Sequence, residues 1–186
     1  MAGDTLARMF WSRVDAGADR PAQMVKSDGR WRELAWSQVG ETVRELALGL
    51  LALGRRPGQA VALLSRSRAE WVQADFAILS TGCLTVPIYP SYTPGQIASI
   101  VNDSEARTLI VEDPAQLAKA LEVRDRMPGL AEIVVIDSGE AHAPPVLTWA
   151  GLGRLGRAQA GALRAALADR VASISAEDVA TIVYTS

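Results

Sequence analysis

Residues 60–64, Ala-Val-Ala-Leu-Leu, form an uninterrupted apolar run that decides the fold class. Such a run is typical of a strand that is buried on both faces, as strands are in the middle of a parallel sheet. A second run of this kind, Ile-Val-Val-Ile, occupies 133–136. Each follows a Pro-Gly pair, at 57–58 and 128–129, that breaks the preceding element. We therefore expect an α/β fold, a mostly parallel sheet flanked by helices.

The segments on either side of these runs predict an alternation of helices and strands. An antiparallel hairpin is predicted from Asp28-Gly29, which lies between two extended runs. Residues 146–150 look too short to be a strand, and 151–156 are expected to be a flexible, glycine-rich connection. Helices are predicted over about 6–14, 37–53, 69–79, 93–103, 113–127 and 157–171, and strands over 60–64, 84–89, 108–111, 133–136 and 179–184.

Composition excludes several classes of function. The chain has 186 residues with 49% hydrophobic and 22% charged residues, which fits one domain or a large subdomain. A net charge of −2 gives no electrostatic footprint for nucleic acid. The most apolar stretch, 74–89, is too short and too interrupted to span a bilayer, so we expect at most a peripheral contact with a membrane.

Isolated reactive groups have ordinary explanations. Cys83 is the only cysteine, which excludes an intramolecular disulfide and favours a reducing, cytoplasmic compartment. Its apolar surroundings predict a buried, inert thiol. His142 is the only histidine and is expected to be an exposed loop residue. No group of His, Asp and Glu has the spacing of metal ligands, so no metal site is predicted.

Gly151 to Gly156 formally matches the G-x-G-x-x-G fingerprint of dinucleotide-binding domains. The fingerprint needs a buried strand directly before it and an acidic residue about 20 positions later. Glu177 or Asp178 stands at that distance, but 146–150 is not strand-like. A dinucleotide-binding oxidoreductase therefore stays an alternative hypothesis, as does a non-catalytic scaffold module.

The end of the chain is more informative. Residues 178–186, Asp-Val-Ala-Thr-Ile-Val-Tyr-Thr-Ser, predict an apolar strand that runs into hydroxyl side chains. Phosphate loops often begin in this way, because hydroxyls and free backbone N–H groups both donate to phosphate oxygens. An edge strand without a ligand would have the same pattern.

Several segments in order resemble the adenylate-forming (AMP-binding) superfamily, and most closely its long-chain fatty acid–CoA ligases. Residues 81–91, TGCLTVPIYPS, resemble the family's "AG-x-x-x-VPIYP-T" segment, and 178–186, DVATIVYTS, resemble the approach to its "YTSGTTG-x-PKG" loop. Residues 31–63, 70–79 and 93–111 resemble its first helices and strands. Gln59 and Gly95 depart from the pattern, which more often has acidic residues there.

The resemblance implies that 1–186 is a partial N-terminal AMP-binding domain that ends where the phosphate loop begins. It implies activation of a fatty acid by ATP and transfer to coenzyme A, with Mg²⁺ assisting. Tyr184, Thr185 and Ser186 would be the first residues of the ATP phosphate loop, and no catalytic residue would lie within this chain. The partners would be small-molecule substrates, and related enzymes are often homodimers.

Overall fold

A computed structural model of the chain describes residues 5–27, 29–138, 143 and 145–185. Its helices are α1 Leu6–Gly17, α2 Trp36–Ala52, α3 Ala69–Ser80, α4 Pro94–Asp103, α5 Pro114–Glu122, α6 Trp149–Ala158 and α7 Ala160–Ser173. Its strands are β1 Pro21–Ser27, β2 Arg30–Ala35, β3 Ala60–Leu64, β4 Leu84–Ile88, β5 Thr108–Val111, β6 Glu132–Val135 and β7 Val146–Thr148. His142 and Ser186 lie outside the described residues.

The main sheet has five parallel strands in the order β4-β3-β5-β6-β7. The apolar run 60–64 is β3, and residues 133–135 of the second run lie in β6. Every residue of β3 is buried. The expected parallel α/β sheet is therefore confirmed. All five strands end at one edge of the sheet, and the residues that follow them meet there.

Each face of the sheet is covered by helices. α4 and α5 pack on one face, where Ile97, Leu117 and Met127 are buried against β3 and β5. The other face carries α1, α2, α3, α6 and α7, with Val43, Ile78 and Leu152 in its core. The helix ends follow the local sequence: Thr93 and Gln96 form the predicted capping box at the start of α4, and Asp113 caps α5.

The predicted hairpin is also confirmed. β1 and β2 form a separate two-stranded antiparallel sheet in which Lys26 lies opposite Trp31. The hairpin is fixed to the rest of the fold through Gln23, whose side-chain amide donates to the Ala69 carbonyl at 3.3 Å and whose oxygen accepts from Gln73 at 2.9 Å.

The prediction for 113–127 was too long. α5 ends at Glu122 and a single 3₁₀ turn, Arg124–Arg126, follows it. The Arg124 side chain donates to the carbonyls of Met127 and Leu130, at 2.8 and 2.6 Å. These two hydrogen bonds stabilise the 3₁₀ turn and the residues after it, where the sequence pattern alone favoured a longer helix.

The predictions for 146–171 were wrong in two places. Residues 146–148 do form a strand, β7, which pairs with β6 at the edge of the sheet. The glycine-rich segment is a helix and not a connection, since α6 covers 149–158 and a break at Gln159 separates it from α7. The Thr148 hydroxyl caps α6 by accepting from the Gly151 N–H at 2.9 Å.

This helix also excludes the dinucleotide fingerprint. Gly151 to Gly156 lie inside α6, whereas the fingerprint requires its glycines in the turn between a strand and a helix. Gly156 faces α2 so closely that a Cβ placed on it would lie 1.9 Å from the Glu45 carbonyl oxygen. Gly49 of α2 is also tight, because its Cβ would lie 2.5 Å from the Leu152 carbonyl oxygen. The glycines serve a close helix–helix contact.

Candidate functional site

Residues 179–185 extend along the outer edge of β4 and run parallel to it. The Thr85 N–H donates to the Ala180 carbonyl at 3.0 Å, and the Ile182 N–H donates back to the Thr85 carbonyl at 3.1 Å. The Thr181 hydroxyl donates to the same carbonyl at 2.8 Å. These bonds fix the segment at one point of the sheet.

The prediction of a strand over 179–184 was wrong, since only a single bridge, Thr85 to Thr181, is formed. In a strand, the backbone N–H groups of alternate residues point to the same neighbour. After Thr85, the next residue of β4 that would donate its N–H to 179–185 is therefore Pro87. Proline has no N–H, and the ladder therefore stops after one bridge. The rest of the segment is held by side chains.

Thr85 is itself hydrogen-bonded to Asp75 of α3. The Thr85 hydroxyl donates to Asp75 Oδ1 at 2.6 Å. Burial raises the pKa of the Asp75 carboxyl, and the hydrogen bond from Thr85 opposes that shift only in part. The Asp75 carboxyl is thus hydrogen-bonded to the strand residue that binds residues 179–185.

Tyr184 is the second point of attachment. Its hydroxyl donates to Asp103 Oδ2, at the end of α4, at 2.6 Å. Burial, together with the hydrogen bond and the negative charge of Asp103, raises the pKa of Tyr184 to about 12. The phenol therefore stays protonated at neutral pH and remains a donor to Asp103.

Of the three residues predicted to bind phosphate, the structure describes two. Tyr184 is half-buried and bound to Asp103, and Thr185 is exposed. Ser186 lies outside the described residues. The segment thus leads Thr185 to the carboxyl edge of the sheet, where ligands bind in open α/β folds.

A cleft of about 320 Å³ opens at this edge. Its walls come from the ends of β3 and β4, from α3 and from residues 183–184. They include Arg66, Trp71, Tyr89, Val183 and Tyr184. The cleft combines apolar walls with a few polar groups, which is the usual character of a small-molecule site.

A network of ion pairs lies beside the cleft, where the strand order reverses between β3 and β5. Arg66 bonds the buried Glu112 three times, through its backbone N–H at 3.0 Å and its side chain at 2.9 and 2.8 Å. Arg68 bonds both oxygens of Asp137 at 2.5 and 2.9 Å and Glu70 at 2.7 Å. The loops after β3, β5 and β6 are joined in this way.

Two arginines face three carboxylates in this network, and their bonds shift the pKa values of Glu112 and Asp137. Burial alone would raise the pKa of Glu112, but the bonds from Arg66 outweigh it, and the pKa lies below its ordinary value of 4.5. The hydrogen bonds from Arg68 likewise lower the pKa of Asp137. Sequence reasoning missed this network, although Arg66, Glu112 and Asp137 each stand one or two positions after a buried strand and could have been found by that rule.

Cys83 is buried, as expected, and its thiol donates to the Arg56 carbonyl at 3.2 Å. Burial raises the pKa of the thiol, which keeps it protonated and inert. Among the residues described, no group of three or more His, Cys, Asp or Glu side chains could hold a metal ion.

Comparison with known proteins identifies the family. The AMP-binding enzyme family matches residues 10–186. The chain belongs to that family. The extended segment at 179–185, with its hydroxyl residues at the edge of the sheet, thus lies in an AMP-binding domain.

The curated relatives are longer than this chain. It is 35% identical to the long-chain-fatty-acid–CoA ligase FadD15 of Mycobacterium bovis, over 98% of this chain and 29% of that protein. It is 29% identical to the long-chain-fatty-acid–CoA ligase ACSBG2 of Xenopus laevis, over 82% of this chain and 21% of that protein. The chain therefore spans less than a third of the length of these relatives.

Two solved ligase structures share the fold. The anthranilate CoA ligase AuaEII, solved in complex with anthranoyl-AMP, superimposes with a TM-score of 0.70 and 30% identity, over 80% of this chain and 27% of that one. A coronafacic acid ligase from Pectobacterium brasiliense superimposes with a TM-score of 0.72 over 96% of this chain and 33% of that one. The latter is only 15% identical and shows the fold alone.

Proposed function

We propose that the chain is the N-terminal part of a long-chain fatty acid–CoA ligase, an acid–thiol ligase. The observation that carries the proposal is the attachment of 179–185 to β4 and α4, which leads a hydroxyl-rich segment to the carboxyl edge of the sheet. The 35% identity to a long-chain ligase over 98% of the chain favours this class of substrate over other acids.

The reaction has two steps. A fatty carboxylate attacks the α-phosphate of ATP, which gives an acyl-adenylate and releases pyrophosphate. The thiol of coenzyme A then attacks the acyl carbonyl, and AMP leaves. Such chemistry depends on positioning the reactants and on neutralising phosphate charge, to which Mg²⁺ contributes when it is bound.

This chain would supply one part of the site. The hydroxyls and backbone N–H groups of Thr185 and Ser186 would donate to phosphate oxygens of ATP. Tyr184 would hold the start of the loop in place, since its hydroxyl is bound to Asp103. The residues that bind Mg²⁺ and coenzyme A, and the catalytic groups, would belong to other parts of the polypeptide.

Location and assembly complete the proposal. Within the described part of the chain no helix is long and apolar enough to cross a membrane. We place the enzyme in the cytoplasm, in peripheral contact with a membrane from which long-chain acids are taken. Association into a homodimer belongs to the same proposal and is measured by sedimentation.

Acid-dependent exchange of pyrophosphate into ATP tests the function. The full coding region that contains these residues is expected to catalyse exchange with a long-chain acid and much less with acetate. The 186-residue chain alone is expected to be inactive. Exchange by the isolated chain would refute its role as one part of the enzyme, and no exchange by the full product would refute the ligase.

The coding sequence itself supplies a second check. The codons after Ser186 are expected to read Gly-Thr-Thr-Gly, followed shortly by Pro-Lys-Gly. Any unrelated reading there would contradict the assignment of Tyr184 to Ser186 as the start of a phosphate loop.

A further inference from the structure

Residues 183–185 have no backbone hydrogen bond to the sheet. The last such bond of the segment runs from the Ile182 N–H to the Thr85 carbonyl, and none that involves 183–185 is present among the described residues. A residue without a fixed partner keeps backbone freedom, which a bound ligand would have to remove. The position of Thr185 therefore depends on the side chain of Tyr184, which directly precedes it.

The Tyr184 side chain is held at both of its ends. Its ring packs against the core cluster that contains Ile97 of α4, and it forms part of the wall of the cleft. Its hydroxyl donates to Asp103 Oδ2 at 2.6 Å. A distance of this size is typical of a hydroxyl that donates to an ionised carboxylate, a bond about twice as strong as one between neutral groups. Asp103 thus fixes the direction of Tyr184.

Asp103 lies on a well-supported part of the fold. It is the last residue of α4, and both of its neighbours in the chain are hydrogen-bonded. The Asn102 amide donates to the Arg126 carbonyl at 2.7 Å. The Ser104 hydroxyl donates to the Ile100 carbonyl, also at 2.7 Å. The end of α4 is therefore a fixed point to which Tyr184 is bound.

The Asp103 carboxylate stands where it does not stabilise its own helix. The C-terminal end of a helix carries partial negative charge, so an acidic residue there is unfavourable. Among the described residues, Asp103 forms no ion pair with a lysine or an arginine. The hydrogen bond from the Tyr184 hydroxyl is the contact that accounts for an acidic residue at this position.

We propose that Asp103 is a positioning residue for ATP. It acts through Tyr184, because it holds the start of the phosphate loop where the donors of Thr185 and Ser186 meet the phosphates. The inference deepens the proposed function and rests on the phosphate loop in it. Without Asp103, only a fraction of the molecules has the loop start in place. The apparent dissociation constant for ATP then rises by the inverse of that fraction.

Equilibrium dialysis of ATP against the full coding product tests the inference. Asp103→Ala is expected to raise the dissociation constant for ATP about tenfold, which corresponds to the loss of one hydrogen bond to a charged group. Tyr184→Phe removes the same bond and keeps the ring, so it should have the same effect. The double variant should bind ATP no more weakly than either single variant, because both changes remove one shared interaction.

Glu122→Ala is the matched control. Glu122 is the exposed last residue of α5, just as Asp103 is the exposed last residue of α4, and it does not line the cleft. Its replacement should leave the binding of ATP unchanged.

Two further measurements separate positioning from a purely structural role. In the exchange reaction, Asp103→Ala should raise the KM for ATP and leave kcat nearly unchanged, because ATP at saturation orders the loop. Urea denaturation of the 186-residue chain should show little loss of stability in Asp103→Ala, because alanine suits the end of a helix better than a carboxylate does.

The outcomes are distinct from those that test the ligase. Unchanged binding of ATP in Asp103→Ala, or equal weakening by Glu122→Ala, would overturn the inference. So would single-variant effects that multiply in the double variant, or no binding of ATP by the unaltered product. A product that binds ATP but exchanges no pyrophosphate would refute the ligase alone, because the dissociation constants still decide the role of Asp103.

Discussion

Replacing Gly156 by alanine tests the close contact between α2 and α6. The new Cβ would lie 1.9 Å from the Glu45 carbonyl oxygen and 2.8 Å from the Gly49 nitrogen, and both are backbone atoms that cannot rotate away. Since real Cβ contacts are essentially never below 3.0 Å, the helices must separate by about 1 Å. A gap of that size forfeits roughly a quarter to a half of each dispersion contact across the interface.

We expect Gly156→Ala to lower the free energy of unfolding by about 3 kcal/mol, the upper end of the usual cost of overpacking. For a chain of this length that corresponds to a fall in Tm of roughly 6–12 °C. Urea denaturation of the 186-residue chain measures the effect, with the m-value of the unaltered chain showing that it unfolds as one cooperative domain.

Gly161 in α7 provides the matched control. A Cβ there meets nothing within 4 Å, so Gly161→Ala should stabilise the chain by about 0.4–1 kcal/mol through the lower entropy of the unfolded state. If both substitutions shifted stability in the same direction and by similar amounts, the close approach of α6 to α2 would be refuted. The helical assignment of the glycine-rich segment would then need revision.

Two further predictions concern the attachment of the C-terminal segment. Asp103→Asn removes the charge beside Tyr184, so the phenol pKa should fall from about 12 towards its ordinary value of about 10. The absorbance of tyrosinate, recorded against pH, measures the pKa, and the transition that is lost in Tyr184→Phe belongs to Tyr184. A Tyr184 pKa that does not change in Asp103→Asn would refute the contact. Asp75→Asn should stabilise the chain at neutral pH. The pKa of the Asp75 carboxyl is raised above 3.8 in the folded state, so the unaltered chain loses stability as the pH rises from 3.8 to the pKa of the folded state. Urea titrations should give equal free energies of unfolding for Asp75→Asn and the unaltered chain well below pH 3.8. Above pH 3.8 the variant should become the more stable of the two. Equal stabilities at every pH would contradict the raised pKa.

Local patterns predicted most of the fold because the signals were local. The apolar run at 60–64, the capping pair Thr93 and Gln96 and the Asp28-Gly29 turn each depend on neighbours a few residues away. The bounds of β3 and β5 were predicted without error for this reason. Uninterrupted apolar strands also fixed the parallel class of sheet.

The errors arose where distant partners decide the conformation. Gly156 favours a loop when it is read alone, but the carbonyl of Glu45, 111 positions earlier, makes it the residue that allows two helices to touch. The segment at 179–184 has the composition of a strand. Pro87 on the neighbouring strand, however, has no backbone N–H to donate, so a second bridge does not form.

The candidate site was predicted only in part, for the same reason. The order of segments predicts 184–186 as the start of a phosphate loop, and this stays a prediction. Nothing near Tyr184 in the sequence names Asp103 as its partner. The ion pairs of Arg66 and Arg68 also join residues 46 and 69 positions apart. Such pairs depend on strand order, which a single sequence does not state.

Pro87 has a consequence for how this chain behaves among copies of itself. Leu84, Val86 and Ile88 direct their N–H groups to β3, Thr85 donates to Ala180, and Pro87 has no N–H to donate. Beside residues 179–185, the outer margin of β4 therefore offers no free donor to a strand from another molecule. Unpaired donors of that kind are the template for intermolecular sheet growth, so one imino acid protects this margin against aggregation.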